Sequence, residues 1–187
     1  MRVGALLLTP GAGSDRNHPA LRAIEAAVAP MPVARVDFPY RKEGRRAPDR
    51  PPKLIATIRE EAAVLVAGAR IRPAALALGG RSMGGRMCSL AVADGLPARA
   101  LVLISYPLHP PGKPANLRVE HFPEIQVPCL FVSGTKDPFA APAELEVHTK
   151  AIPAPVTHVW IDGGGHDFKR HDEAVAATVR DWLAGLR

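Results

Sequence analysis

Short apolar runs alternate along the chain with longer stretches whose apolar residues recur at helical spacing. The short runs are nearly continuous, which is typical of strands buried on both faces of a sheet. Because strand-like and helix-like segments alternate, the pattern predicts βαβ units and a six-stranded parallel sheet. The predicted strands are Val3–Thr9, Val33–Phe38, Ala74–Gly79, Ala100–Ile104, Cys129–Ser133 and Thr157–Ile161.

Five helices are predicted between and after these strands. In the second, the apolar positions 54, 55, 58, 62, 65, 66 and 69 form one face. Pro19 suits the first turn of the first helix, with Asn17 or His18 as its cap. Right-handed crossovers would place the helices on both faces of the sheet. The predicted ranges are Pro19–Ala29, Leu54–Ala69, Gly84–Ala93, Ala143–Ala151 and Glu173–Leu183.

The 187 residues fit a single domain, 1–187, and no repeat or linker divides them. The apolar run near the start, Ala5–Leu8, is too short for a membrane span or a signal peptide. Cys88 and Cys129 form no disulfide framework. We therefore expect a cytoplasmic protein with no membrane partner.

The net charge of +6 comes partly from the segment Arg41–Lys53, which holds six basic and two acidic residues. Such a segment can attract anionic substrates or nucleic acid. No aromatic residue interleaves the basic ones, which argues against nucleic acid. We interpret the segment as a solvated loop, with binding of anionic partners as the alternative.

A G-x-S-x-G motif at 80–84 carries the first candidate for chemistry. It places Ser82 between a predicted strand and a predicted helix, which is the setting of an exposed nucleophilic serine. Gly80 and Gly84 are small enough to let strand and helix backbones approach. The helix N-terminus also favours negative charge near this serine. We predict that Ser82 is a nucleophile.

A serine nucleophile needs a base, and the base needs an acid to orient it. His166 follows three glycines after the last predicted strand and is the predicted base; His158 and His171 are the alternatives. The predicted acid is Asp137, which lies between serine and base in chain order, although an Asp-Pro turn would also explain it. Asp162 and Asp167 are rival acids but lie very close to His166 in the sequence.

Two backbone N–H groups are needed to bind an oxyanion. Met83 supplies one, and the glycine-rich loop after the first strand supplies the other from Gly11 or Ala12. That loop lacks the spacing of dinucleotide or P-loop motifs, and the histidines lack a metal-ligand pattern, so no cofactor or metal is expected. Further candidates for the substrate pocket, each with a structural or surface role as its alternative, are Arg81, Tyr40, Tyr106, His109 and Lys113.

The long proline-rich connection that contains Tyr106–Pro114 is predicted to be a functional loop over the site. This stretch and five others resemble the small bacterial α/β-hydrolase family related to dienelactone hydrolases. The other segments are 10–13, 37–40, 79–86, 134–139 and 165–167. That family resembles testis-expressed protein 30 and the hydrolase-like domain of NSL complex subunit 3. The resemblance implies a minimal α/β-hydrolase fold without a lid domain, and the triad Ser82, Asp137 and His166. The family usually has His-Gly where this chain has Pro10 and Gly11.

We therefore expect a serine hydrolase that cleaves a carboxylic ester or related acyl bond of a small molecule through an acyl-enzyme on Ser82. One alternative is a non-catalytic interaction module of the same fold. The other is a binder of anionic partners through Arg41–Lys53. The sequence leaves open the oligomeric state and the acyl and leaving groups of the substrate.

Overall fold

Six parallel strands form one sheet in a computed structural model that describes residues 2–186. The strand order is β2-β1-β3-β4-β5-β6, so the chain starts inside the sheet, adds one strand to one side and then builds to the other. The predicted parallel sheet is therefore confirmed. The strands are β1 (Ala5–Thr9), β2 (Val33–Arg35), β3 (Leu76–Arg81), β4 (Ala100–Ile104), β5 (Cys129–Gly134) and β6 (Val156–Ile161).

All five predicted helices are present, with shifted ends. Of the two predicted caps for the first helix, His18 is the one used, and its Nδ1 accepts from the amide of Ala20 (3.2 Å). A further four-residue helix is too short for periodicity to reveal. Across residues 2–186, no helix is long and apolar enough to cross a bilayer. The helices are α1 (Pro19–Ala27), α2 (Pro39–Lys42), α3 (Pro51–Ala69), α4 (Met83–Ala93), α5 (Pro142–Thr149) and α6 (Asp172–Gly185).

Prolines account for two of the strand ends that the sequence misplaced, whereas the start of β1 at Ala5 rather than Val3 has no such cause. The second strand ends at Arg35 rather than Phe38, because Pro39 begins α2 and the Phe38 carbonyl accepts from the first amides of that helix. The third strand begins at Leu76 rather than Ala74, because Pro73–Ala75 form a 3₁₀ turn. It also continues to Arg81, which pairs with Ile104 of β4.

Alternate residues of the strands enter two separate cores. In β1, Leu6 and Leu8 face α1 and α6, whereas Ala5 and Leu7 face α3 and α4. All four are fully buried, and removing a Leu side chain from water contributes about 2 kcal/mol. With helices packed on both faces, the sheet is rigid, and the turns at its carboxyl edge are held in place.

The chain between β4 and β5 folds as a loop that contains one 3₁₀ turn, Phe122–Glu124, and no inserted domain. Tyr106 in this loop packs against Phe122 and against Phe131 of β5, with ring centroids 5.5 and 5.7 Å apart. These buried aromatic contacts hold the loop against the sheet, close to the carboxyl ends of the strands.

Candidate active site

Ser82 occupies a strained turn between β3 and α4. Its φ of 52° and ψ of −120° lie in a region that non-glycine residues rarely adopt, at a cost of about 1–3 kcal/mol. Two hydrogen bonds hold this conformation: the Ser82 amide donates to the Ile104 carbonyl (2.8 Å), and the Ser82 carbonyl accepts from the Arg86 amide (3.1 Å). The turn presents the serine hydroxyl at the carboxyl edge of the sheet, where sites form in open α/β sheets.

The glycines of the motif are required by backbone approach. A Cβ at Gly84 would overlap the Pro10 carbonyl oxygen, and one at Gly85 would lie 2.6 Å from the Gly80 oxygen. Any larger residue at these positions would push α4 away from β1 or from the turn. The motif needs its glycines, and Gly85 after it, because the backbones of β3, α4 and the residues that follow β1 are in contact around Ser82.

A continuous chain of hydrogen bonds joins the three residues that the sequence singled out. Ser82 Oγ lies 2.8 Å from His166 Nε2, and His166 Nδ1 lies 2.8 Å from Oδ2 and 3.0 Å from Oδ1 of Asp137. Because an ionised carboxylate only accepts, Nδ1 donates to Asp137, which leaves Nε2 to accept the serine proton. This is the arrangement in which an imidazole acts as a base toward a hydroxyl.

Asp137 is held by the turn after β5. Its side chain is 0% exposed, and Oδ1 also accepts from the Phe139 amide (2.9 Å). The neighbouring Lys136 amide donates to the Gly164 carbonyl (2.8 Å), which ties this turn to the one that carries His166. A Cβ at Gly134 would overlap the same Gly164 carbonyl, so glycine is needed where the two turns touch.

The backbone and the ring of His166 are both restrained. Its carbonyl accepts from Arg81 Nη2 (2.7 Å) and from Ser105 Oγ (2.9 Å). The Phe139 ring stacks on the imidazole, with centroids 4.1 Å apart and planes 28° apart. These contacts orient the imidazole between the serine and the carboxylate.

None of the rival residues takes the place of Asp137 or His166 in this chain of hydrogen bonds. Asp167 forms an ion pair with Arg81, and the exposed Asp162 accepts from Thr135 Oγ1 (3.3 Å). His158 is half-buried and hydrogen-bonds to Thr149, and His171 occupies the N-cap position of α6 without a side-chain hydrogen bond to the helix. Within residues 2–186, no group of three metal-ligating side chains is clustered.

Neither cysteine is placed to act as a nucleophile. Burial raises the pKa of the Cys88 thiol and of the Cys129 thiol to about 12 in each case. Both side chains lie inside the core, so both stay protonated and out of reach of a substrate.

A cavity of about 680 Å³ opens over Ser82, a size suited to a small-molecule ligand. Its wall includes Met83, the first residue of α4, whose amide has no acceptor within the helix. Opposite lies the loop after β1, whose Ala12 carbonyl accepts from the Tyr40 hydroxyl (2.8 Å). The described residues that line the cavity are Ala12, Gly13, Ser14, His18, Arg81, Ser82, Met83, Arg86, Pro107, Arg118, Phe139, His166 and Asp167.

Of the five predicted pocket residues, the structure brings only Arg81 to the described wall of the cavity. Tyr40 and Tyr106 are fully buried, because their rings fill the core and their hydroxyls bind the Ala12 and Arg118 carbonyls. His109 is buried beside the Pro110 carbonyl and Glu144, and Lys113 is exposed on the loop. None of these four residues is among the described residues of the cavity wall. Gly11 is not among the wall residues, although a Cβ placed on it would lie 3.5 Å from the Ser82 Cβ and 3.2 Å from Arg81 Nη1.

Sequence reasoning missed several residues of the cavity wall. Arg86 follows Ser82 by four positions on a predicted helix, and this one-turn spacing indicates that the two side chains lie on the same face of the helix. Phe139, two residues after Asp137, carried a weaker signal. Arg118 and Pro107 reach the cavity because the loop after β4 folds back over the site, as predicted for that loop. His18 also lines the cavity, and burial, with the Arg81 charge as a smaller cause, lowers its pKa.

Comparisons with known proteins agree with this architecture. A family model described as an alpha/beta hydrolase domain matches residues 2–183, so the chain belongs to the α/β hydrolase domain family. The match, together with the solved structures below, confirms the predicted resemblance to small hydrolases of the dienelactone hydrolase type. The predicted similarity to testis-expressed protein 30 and NSL complex subunit 3 stays a prediction.

Three solved structures illustrate the shared fold. Dienelactone hydrolase from Anabaena variabilis ATCC 29413 is 20% identical, with a TM-score of 0.78, and the match covers 100% of this chain and 88% of that chain. Est1E from Butyrivibrio proteoclasticus is 16% identical, with a TM-score of 0.73 and coverages of 98% and 88%. An alpha-beta serine hydrolase homologue from Coxiella burnetii is 15% identical, with a TM-score of 0.72 and coverages of 98% and 85%. Family and fold together support hydrolase function.

Proposed function

We propose that this chain is a serine hydrolase that cleaves a carboxylic ester, or a related acyl bond, through an acyl-enzyme on Ser82. The observation that carries the proposal is the hydrogen-bonded chain from Ser82 through His166 to Asp137. It lies at the carboxyl edge of the sheet and opens into a cavity of ligand size. A serine with an ordinary structural role needs neither a strained turn nor an oriented imidazole.

In the first half of the reaction, Ser82 Oγ attacks the ester carbonyl carbon while His166 Nε2 takes the hydroxyl proton. The carbonyl π electrons move to oxygen and then return, the bond to the leaving alcohol breaks, and His166 gives its proton to that alcohol. The acyl group is now bonded to Ser82. Asp137 holds the imidazole in the required tautomer and stabilises the imidazolium.

In the second half, His166 removes a proton from water, and the resulting hydroxide attacks the acyl carbon. The bond to Ser82 breaks, the serine oxygen takes the proton back, and the carboxylic acid leaves. Both halves pass through an oxyanion, for which the Met83 amide and an amide of the 11–12 loop are the proposed donors. Ala12 is favoured over Gly11 because it lies on the cavity wall. Pro10, which lacks an N–H, contributes its carbonyl to the contact with Gly84 instead.

Binding of an anionic partner through Arg41–Lys53 has less support. Arg45 pairs with Glu43 and Asp49, and Lys53 also pairs with Asp49. With Glu61, which pairs with Lys42, these carboxylates balance half of the six positive charges of this segment. A non-catalytic interaction module would have no need for a fully buried carboxylate that orients His166.

The covalent intermediate itself can be tested with 4-nitrophenyl acetate. Acid-quenched protein should carry the mass of one added acetyl group, and peptide mapping should locate it on Ser82. Ser82→Ala should show neither the adduct nor rapid release of nitrophenol. Turnover at the wild-type rate by a folded Ser82→Ala variant would contradict the proposal.

A further inference from the structure

Two arginine side chains on the cavity wall lack acidic partners. Arg86 lies one turn along α4 from Ser82, and Arg118 belongs to the loop that folds back from β4. Within residues 2–186, no carboxylate forms an ion pair with either guanidinium. The third arginine of the wall, Arg81, is different because its Nη2 pairs with Asp167 and binds the His166 carbonyl, although its Nε, like that of Arg86, is buried without a partner among the described residues.

The Arg86 side chain also has an unused donor. Its Nε is buried and has no hydrogen-bond partner among the described residues. Buried donors of this kind are costly and are normally satisfied, so an unsatisfied one on a cavity wall indicates that an acceptor arrives from outside. A guanidinium is most strongly satisfied by an oxyanion, which can take two parallel N–H bonds.

Arg86 and Arg118 are close enough to affect each other electrostatically. Burial, with the Arg86 charge as a smaller cause, lowers the pKa of the Arg118 guanidinium. The Glu120 charge reaches the neighbouring Tyr106 and His121, but Glu120 forms no ion pair with either guanidinium. Two cations held near each other repel, and an anion between them would remove that repulsion. The cavity thus carries unbalanced positive charge beside the serine.

The backbone of Arg118 is held in position by the proline-rich stretch Tyr106–Pro114. The Arg118 amide donates to the Leu108 carbonyl (2.9 Å), and its carbonyl accepts from the Tyr106 hydroxyl (2.7 Å). Burial raises the pKa of Tyr106, so this hydroxyl keeps the proton that it donates. The proline-rich stretch therefore supports the residue that brings the second positive charge to the cavity.

We propose that the substrate is an ester with an anionic arm, a carboxylate or a phosphate, whose oxygens are bound by Arg86 and Arg118 while the ester carbonyl lies against Ser82. The inference rests on the proposed function and narrows it to one class of substrate. It also moves the selection of anions from the segment Arg41–Lys53 to the cavity itself. The planar forks of two arginines suit such a group better than lysines would.

Three acetate esters that differ in one group test this proposal: 4-acetoxybenzoate, its neutral methyl ester and 4-acetoxyphenyl phosphate. We expect kcat/KM for one or both anionic esters, relative to the methyl ester, to fall about 10- to 100-fold in Arg86→Gln and in Arg118→Gln. The larger fall for one anion identifies carboxylate or phosphate as the preferred arm. The matched control is Arg46→Gln, which removes the same charge from an exposed position outside the cavity and should leave the ratio unchanged.

An unchanged ratio in both cavity variants, or an equal fall in Arg46→Gln, would overturn the proposal. Arg118→Lys, which keeps the charge, should retain part of the preference and guards against a folding defect. Calorimetric titration of Ser82→Ala with 4-acetoxybenzoate separates binding from catalysis. If Ser82→Ala binds 4-acetoxybenzoate and the double variant with Arg86→Gln does not, the anion site is supported. That support stands even if the wild-type protein hydrolyses none of the esters, because the absence of hydrolysis would contradict only the proposed function. No difference between the acid and its methyl ester in this titration would count against the anion site.

Discussion

Two serine–histidine pairs lie seven residues apart along α4, and only one has the features of a site. Ser82 Oγ is 2.8 Å from His166 Nε2, and Ser89 Oγ is 2.7 Å from His121 Nε2. Judged by that distance alone, the pairs are equivalent. The difference lies in what surrounds each pair.

The proton of the second pair points the wrong way. The Ser89 hydroxyl donates to the Arg86 carbonyl (2.8 Å), and a hydroxyl has only one proton, so His121 Nε2 must donate to Ser89. Ser89 is also fully buried inside α4, and no carboxylate hydrogen-bonds to His121 in the described chain. Burial, with the Arg86 charge as a smaller cause, lowers the pKa of His121 to about 4.

The comparison shows that a short contact does not define a catalytic pair. The first pair has a strained, accessible turn, a buried carboxylate behind the imidazole and a cavity in front of it. The second pair has none of these and fills the core, where it satisfies polar atoms.

The largest expected effect separates the two serines. Ser82→Ala and His166→Ala should each lower kcat/KM for phenyl acetate by about 10⁴- to 10⁶-fold, because each removes a reacting group. Ser89→Ala should retain wild-type kcat/KM for this neutral ester. Steady-state phenol release measures all three, and loss of turnover in a folded Ser89→Ala variant would break the distinction.

A somewhat smaller effect concerns the carboxylate that only the first pair has. Asp137→Asn keeps the shape of the side chain but favours the wrong imidazole tautomer, so kcat should fall by about 10⁴-fold. The melting temperature should change little by comparison. Asp162→Asn is the matched control, because Asp162 is an exposed rival on a nearby turn. A greater loss of kcat in the control would assign the acid to Asp162.

The third effect concerns pH and the second pair. Because the pKa of His121 is lowered from 6.5 to about 4, the unfolded chain binds this proton more readily than the folded protein. The stabilising effect of the neutral imidazole is complete above about pH 6.5 and is lost as the pH falls toward 4. After allowance for solvent screening, the loss is about 2 kcal/mol.

Urea unfolding at several pH values measures this loss. The pH profiles of the wild type and His121→Gln should converge as the pH falls from 6.5 toward 4, because glutamine does not titrate. Parallel profiles would show that His121 is not the group responsible. His18 and His158 also have lowered pKa values, which is why the difference between the two profiles, rather than the wild-type slope, carries the test.

The smallest expected effect is on stability at neutral pH. Ser89→Ala removes two buried hydrogen bonds, one to the Arg86 carbonyl and one to His121, and leaves His121 Nε2 without its partner. We expect a loss of about 1–2 kcal/mol in the free energy of unfolding, measured by urea denaturation at pH 7. A neutral or stabilising change would mean that water replaces the hydroxyl.

The fold was readable from the sequence because its signals are local. Each buried strand is a short apolar run, and each long helix has one apolar face, so the alternation alone predicts a parallel sheet. Strand ends such as Arg35 and Leu76 were missed where a proline starts a short helix or 3₁₀ turn that periodicity cannot detect.

The candidate site was readable only in part. Ser82, Asp137 and His166 each follow a strand at the carboxyl edge, and glycines or a turn mark every one of them. Arg118 gave no comparable signal, because only the folding of the loop after β4 brings it to the cavity. Tyr40 and Tyr106 misled because their hydroxyls bind backbone carbonyls beside the cavity while their rings lie in the core.

Reaction with a fluorophosphonate probe, followed by peptide mapping, tests the central claim most directly. A serine becomes reactive toward such a probe only when a base and an oxyanion site activate it. We predict one label, on Ser82, that is absent in Ser82→Ala, greatly reduced in His166→Ala and undiminished in Ser89→Ala. Failure of the folded protein to react with probes of several sizes, or labelling that persists in Ser82→Ala, would contradict the account.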